Sequence, residues 1–228
     1  MTVGYGAGDA NEDTILLGVD YRFYDFDAIS PKMYEKMFQA IDRLVVLSEQ
    51  QREDLKRVTK PQELPKDSVL LEQGQICNHL HFLVEGAVRY YYQQDDKEIT
   101  SGFRFEGDFI NSFYSFISRK PSKESIILMS DCKLITISYD SLQYLYNKDS
   151  VWNRLGRLSI ESYYIQLEEH FFSLQSQTAS ERYAHLLQQY PDILNRVKLG
   201  HLASYLGVTQ ETLSRIRAKH RNRQRLRN

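Results

Sequence analysis

The sequence predicts an α+β chain: an N-terminal antiparallel β-roll of jelly-roll type, one long helix, and a C-terminal pair of helices crossing at a tight turn. Three observations predict it. Apolar residues recur at helical spacing from Pro31 to Pro61, change to short β-rich runs between Val69 and Ser138, and return to helical spacing after Tyr139. Turn-forming clusters separate the β-rich runs at roughly even intervals. The third is charge. The 228 residues carry 29 Lys and Arg against 30 Asp and Glu, a net charge of −1, yet residues 178–228 hold ten basic and three acidic residues. That is +7 for the tail and −8 for residues 1–177, an asymmetry that points to two modules, the second meeting a polyanion.

Residues 1–30 read as a leader without assigned function. Gly4, Gly6 and Gly8 sit near acidic residues, and Tyr21 to Asp27 alternates aromatic with acidic. Ser30-Pro31 reads as a cap with proline at the first helical position, followed by Tyr34, Met37, Phe38, Ile41, Leu44 and Val45 at helical spacing. Ser48 with Gln51 forms a capping-box pattern for a second helix, which Pro61 should close. Strands are predicted at Val69–Leu71, Leu80–Val84, Val88–Tyr92, Ile99–Phe105, Ile126–Leu128 and Leu134–Ile137. Asp149 or Ser150 can then cap a long helix bearing Trp152, Leu155, Leu158, Ile165, Leu167, Phe171 and Leu174. These cover more than one face. Either one stripe packs on the β module and another on a second copy, or the helix is sandwiched between two modules of one monomer. Thr178 with Glu181 repeats the capping box, for a helix ending at Pro191. The predicted divisions are a leader (1–30), an effector-type domain (31–148), a dimerisation helix (149–177) and a DNA-binding domain (178–228).

Composition narrows the function classes. Charged residues make up 26% and hydrophobic ones 42%, an ordinary globular balance. No apolar run reaches the ~18 residues of a membrane span, and the N-terminus has no basic start with an apolar core, so the expected location is the cytoplasm. Cys77 and Cys132 are too few for a disulfide framework, a four-thiolate zinc site or an iron–sulfur cluster. No phosphate loop, Gly-x-Ser-x-Gly or zinc-protease motif occurs, and the expectation is a non-enzyme without cofactor or metal.

Residues 199–218 read LGHLASYLGVTQETLSRIRA. Leu202, Leu206, Val208, Leu213 and Ile216 are spaced for two crossing helices, Ala203 is small at their contact, and Gly207 permits the turn. Thr209 caps the second helix, on which Gln210, Glu211, Ser214, Arg215 and Arg217 face away from the apolar side. Arg can fork onto guanine, Gln onto adenine, and Glu can accept from cytosine N4 in a major groove. Lys198, Arg196 and Lys219 are placed to hold phosphates. Double-stranded DNA is the expected partner.

A roll, a long helix and a C-terminal helix-turn-helix, in that order, resemble the Crp/Fnr family of bacterial transcription regulators. The resemblance covers roughly Met33 to His220 and rests on Gly74, Gly86 and Gly107, on Phe105-Glu106-Gly107-Asp108-Phe109-Ile110, and on Gln210-Glu211-Thr212-Leu213-Ser214-Arg215. The segment Leu213-Ser214-Arg215-Ile216-Arg217 is similar to the Bacteroidetes branch. The resemblance implies a cyclic-nucleotide-binding-like roll, a winged helix-turn-helix, a homodimer on an inverted repeat, and RNA polymerase as a further partner. Glu211 and Arg215 match the family's base-reading positions, and Gln210 stands where Arg is common. Members that bind cyclic AMP hold it with a Glu and, about a dozen residues later, an Arg. Here the effector-pocket candidates are Gly107 and Asp108, with Ser122 in the Arg position and Lys123 beside it. A cyclic phosphate without its Arg loses a charge-assisted bidentate contact, so control by cyclic AMP is not expected and the effector stays unnamed.

The rival reading is a cupin-like metal enzyme or sensor. His79, His81 and Glu85 follow the spacing of a first cupin motif. The pattern needs another His on a later strand, and none occurs between His81 and His170. The competing reading places both histidines on an ordinary strand surface.

Overall fold

The computed structural model describes residues 26–225, with side chains from 31 to 222; the predicted leader therefore lies almost wholly outside the described residues. Helix α1 (Phe26–Asp42) begins before the predicted start at Ser30-Pro31 and contains Pro31. Proline cannot donate to the helical ladder, and α1 runs through that gap on its apolar stripe: Met33, Tyr34, Met37, Phe38 and Ile41 are all buried. Helix α2 (Glu49–Val58) opens with the predicted capping box, Ser48 and Gln51 each binding the other's backbone N–H.

Eight strands follow: β1 (Thr59–Leu64), β2 (Val69–Leu71), β3 (His79–Glu85), β4 (Val88–Gln94), β5 (Lys97–Arg104), β6 (Phe109–Ile110), β7 (Ser125–Leu128) and β8 (Cys132–Ser138). They form two four-stranded antiparallel sheets, ordered β1-β8-β3-β6 and β2-β7-β4-β5. Every predicted strand is present, and β1 and β6 are additional. Pro61 does not close α2; it lies inside β1, opposite Ile135. Strand β1 is an edge, where a residue without an N–H leaves no ladder bond broken.

The sheets enclose a core of Leu64, Leu83, Val88, Ile110, Ile126, Leu128 and Leu134. On the other face of the first sheet, Phe82, Val84, Ile135 and Ile137 pack against α1, Leu145 of α4 (Tyr139–Lys148) and Trp152. Both faces of β3 are thus buried, which is why His79–Glu85 reads as a nearly continuous apolar run.

Helix α5 (Ser150–Ser176) is capped by Asp149, whose carboxylate accepts from Val151 N–H. Its start is anchored by Trp152, Val151, Leu155 and Leu158 on the roll. Farther on, Ile160, Tyr164, Leu167, Phe171 and Leu174 are exposed, at alternating steps of four and three residues. That is the spacing of a coiled-coil seam. Helix α6 (Ala179–Gln189) opens with the predicted Thr178–Glu181 capping box. Helices α7 (Ile193–Arg196), α8 (Leu199–Tyr205) and α9 (Gln210–Arg225) complete the order. No strand follows β8 among the described residues, so the expected wing is not formed there. The stretch after His220 is Arg, Asn, Gln and Leu, with no β-branched residue or apolar alternation to make a hairpin, and α9 runs on through it as far as Arg225.

Candidate functional site

Helices α8 and α9 meet at a short turn, Leu206–Thr209. Gly207 takes φ +67, which L side chains rarely adopt. Leu202, Ala203, Leu206 and Leu213 are buried at the crossing. Thr209 Oγ1 accepts the N–H of Thr212 at 3.2 Å and caps α9. From α6, Arg182 donates to the Leu206 carbonyl at 2.9 Å and to Gln177 O at 2.7 Å, tying the turn to the preceding helix.

This seating leaves Gln210, Glu211, Ser214 and Arg215 exposed on one side of the first turns of α9. The Gln210 amide lies over Gly200, where a Cβ would stand 2.8 Å from its Nε2. Arg215 donates to Thr212 Oγ1 at 3.1 Å, an arrangement that presents the guanidinium beside Glu211. The Glu211 carboxyl is held below its ordinary range by its own backbone N–H, by the Thr209 hydroxyl and by Arg215. Arg217 is set apart from the four, half-buried beside the Tyr183 phenol. Lys198 is exposed just ahead of α8.

Arg196, expected among the phosphate contacts, is engaged elsewhere. Its guanidinium meets both Glu106 oxygens at 2.8 and 2.7 Å, donates to the Gly86 carbonyl at 2.8 Å, and lies 4.5 Å from the Phe105 ring centre. Phe105 stacks obliquely on Tyr190, Phe103 on Tyr205, and Ser204 Oγ accepts from Thr100 N at 2.9 Å. The helical pair is therefore seated on strand β5. Sequence reading missed this because the Arg196–Glu106 pair joins residues 90 apart.

In the roll, Gly107 takes φ +93 and makes the turn before β6. Asp108 accepts the Phe105 N–H at 2.9 Å, and burial pushes its carboxyl up. Its hydrogen bond is spent on that turn. Ser122 is buried and meets Ser112 instead, Oγ to Oγ at 3.2 Å, while donating to Glu124 O at 2.7 Å. Ser112 and Glu124 carry no signal in the sequence. The Glu124 carboxylate takes a hydrogen bond from Ser101 at 3.3 Å, and burial raises its pKa. Burial outweighs the nearby Arg104 charge at both Asp108 and Glu124, and both carboxyls sit above their ordinary range. Lys123 is exposed, 4.6 Å over the Tyr114 ring, outside this cluster. A phosphate entering here would find hydroxyls and the buried carboxyls of Asp108 and Glu124.

The histidines part company. His79 is exposed, whereas His81 is buried, so the surface-strand expectation fails for the second. Thr136 donates to Gln62 Oε1 at 3.0 Å, which leaves its oxygen to accept from His81 Nδ1 at 2.8 Å. Burial first, then His79, holds the His81 pKa down at about 3. Glu85 pairs with Lys133 at 3.2 Å. Among the described residues no group of three His, Cys, Asp or Glu could hold a metal ion. No helix among them is long and apolar enough to cross a membrane.

Residues 61–149 match the model of the cyclic nucleotide-binding domain. Among solved structures, FixK2 from Bradyrhizobium japonicum superposes with TM-score 0.62 at 22% identity, covering 73% of this chain and 86% of that one. A structure described as a Crp/Fnr-family transcriptional regulator from Eubacterium rectale gives 0.60 at 18% identity, covering 75% and 82%. The c-di-GMP responsive regulator CLP of Xanthomonas campestris gives 0.56 at 19% identity, covering 77% and 92%. At these identities the likeness is one of fold. No curated protein matches the chain.

Proposed function

We propose that this chain is a sequence-specific DNA-binding transcription regulator of the Crp/Fnr type, of the branch that Leu213–Arg217 resembles, acting as a homodimer and not controlled by cyclic AMP. One observation carries the reading. A helix seated by its apolar side on a partner helix presents Gln210, Glu211, Ser214 and Arg215 together to solvent, behind a cyclic-nucleotide-type roll. In this reading Arg215, Gln210 and Glu211 touch base edges, Ser214 supports them, and Lys198 holds a phosphate. Arg217 acts at the edge of that surface. Arg196 is removed from the phosphate contacts by Glu106.

The exposed seam on α5 supports the dimer, with domains divided near residues 31, 149 and 178 and RNA polymerase as a further partner. Two reading helices related by two-fold symmetry address half-sites about 10 bp apart. The Ser112–Ser122–Glu124 cluster supports independence from cyclic AMP. Structural neighbours described as a transcriptional regulator and a global regulator favour a non-enzyme over the cupin-like reading.

Selection of random duplexes by the full chain tests this. Recovery of an inverted repeat, unchanged by cyclic AMP, is the expected result. Recovery of unrelated sequences overturns the dimeric reader, and a cyclic-AMP requirement overturns the assignment of Ser122.

A further inference from the structure

A cavity of about 520 Å³ lies where the roll meets the beginning of α5, in the size range of sites for small organic ligands (roughly 300–1,000 Å³). Phe109 of β6, Phe113 and Phe116 of helix α3 (Phe113–Ser118), Tyr146 of α4, and Trp152 and Leu155 of α5 form its walls. Neither Ser112 nor Ser122 lines it, so it is separate from the effector-pocket candidates.

Its chemistry selects a ligand class. Arg157 and Glu161, at one edge, are its charged residues, and they pair with each other at 2.6 Å. No charge is left over to hold a phosphate or a carboxylate, and desolvating either against these walls is unfavourable. The walls are not entirely apolar, however. The Tyr146 hydroxyl has no hydrogen-bond partner among the described residues, and burial raises its pKa, which keeps it a donor. The indole N–H of Trp152 and the amide oxygen of Asn111, on two further lining residues, are also unpartnered, but both atoms are closed off from the cavity space, which leaves the Tyr146 hydroxyl as the group a ligand can meet. Polar groups away from water are normally satisfied, so an open hydroxyl favours a ligand that carries its own acceptor or donor. Gly156 keeps the Tyr146 hydroxyl in place, since a Cβ there would stand 2.7 Å from its oxygen.

We propose that this cavity binds a small, neutral, largely apolar molecule of one or two rings that bears a hydroxyl or carbonyl group, and that its occupancy acts on α5. The seam offered to a second copy runs from Ile160 to Leu174, and of its five residues Ile160 alone borders the cavity, so the two sites are adjacent but distinct. The regulatory half of this proposal rests on the reading of the chain as a DNA-binding regulator. The binding half does not.

Trp152 is the chain's one tryptophan, so its fluorescence reports the cavity directly. The full chain, without DNA, is titrated with 4-bromophenol, a heavy-atom quencher, and with 4-bromobenzoate as an anion of similar shape. The expected result is saturable quenching by the phenol and at least about tenfold weaker binding of the benzoate. Tyr146→Phe should weaken the phenol about fivefold, and Ser159→Leu, which fills the cavity from α5, should abolish saturation. Linear quenching, equal response to both probes, or a Tyr146→Phe curve identical to the parent overturns the proposal. If Ser159→Leu loses its far-ultraviolet circular dichroism, the Tyr146→Phe comparison decides alone. Sedimentation at saturating phenol reads the effect on α5: a changed dimer constant is expected, and an unchanged one overturns the regulatory half. Failure to select an inverted repeat would sink the regulatory reading and leave the quenching curve as it was.

Discussion

Helices α5 and α9 each leave one face open, and the two faces ask for different partners. The open face of α5 is apolar: Tyr164, Leu167, Phe171 and Leu174 stand in solvent at seam spacing, with Ile165 and Phe172 beside them. The open face of α9 is amide, carboxylate, hydroxyl and guanidinium over its first two turns, with Leu213 holding the helix down from the other side. An apolar stripe gains by removal from water against any complementary apolar surface, and its energy grows with area. A set of polar groups gains little from mere burial and much from a partner with matching donors and acceptors. In the proposed function the first face sets how many copies assemble, and the second sets what they read.

That division can be broken by substitution. The largest expected effect is on α5. Leu167→Glu places a charge in the seam and should weaken self-association by about a hundredfold or more, measured by sedimentation equilibrium, with a parallel loss of inverted-repeat binding. If the variant stays dimeric, the seam is not the interface.

On α9, Arg215→Ala should cost ~1–3 kcal/mol of specific affinity and relax the preference at one base pair, while leaving self-association unchanged. Binding assays across single-base variants of the selected site check this. A uniform loss at all positions would reassign Arg215 to the phosphates.

The roll interior provides a control, because it needs no partner. His81 titrates at about 3 in the folded chain, well below its ordinary value of 6.5, so protonation favours the unfolded state. Its stabilising contribution is complete above pH 6.5 and is lost as pH falls toward 3. Thermal melts at pH 7 and pH 5 should show the parent losing roughly 1–2 kcal/mol more than His81→Gln, which keeps a donor for Thr136. Equal slopes would show that His81 is not the titrating group.

The smallest effect separates two cations that look alike in sequence. Lys198→Ala should weaken all DNA sequences alike and reduce the salt slope by about one. Arg196→Ala should leave that slope unchanged and destabilise the fold by about 1 kcal/mol, as for a partly exposed ion pair, through loss of the Glu106 pair, read as a lower melting temperature.

Much of this was legible from local pattern. Both capping boxes, the Asp149 cap, the six predicted strands and the Gly207 turn follow from residues within a few positions of one another. What escaped depends on distance or on edges. Pro61 looked like a terminator because its missing N–H matters in a ladder interior, and only the strand order shows β1 to be an edge. Asp108 looked like a ligand contact because the Phe105 N–H that it caps carries no side-chain signal. The pairing of Ser122 with Ser112 spans a helix, and the Arg196–Glu106 contact spans the last three strands and the helices α4, α5 and α6. The wing was carried over from a resemblance that this chain's arginine-rich end does not sustain within the described residues.

The seating of α8 on β5 has a consequence for how the chain folds. The apolar cluster beneath α9 draws Tyr183, Leu186, Ile193, Leu202 and Leu213 from the C-terminal helices, and Ala87, Phe103 and Phe105 from the roll. A fragment cut at residue 178 would keep its helices' sequence but lose three of the side chains that close their core, together with the Glu106 clasp. The division by charge near residue 178 is thus not a division into autonomous folding units. Substitutions that loosen Phe103 or Phe105 should therefore raise hydrogen exchange in α8 and α9 as well as in the roll.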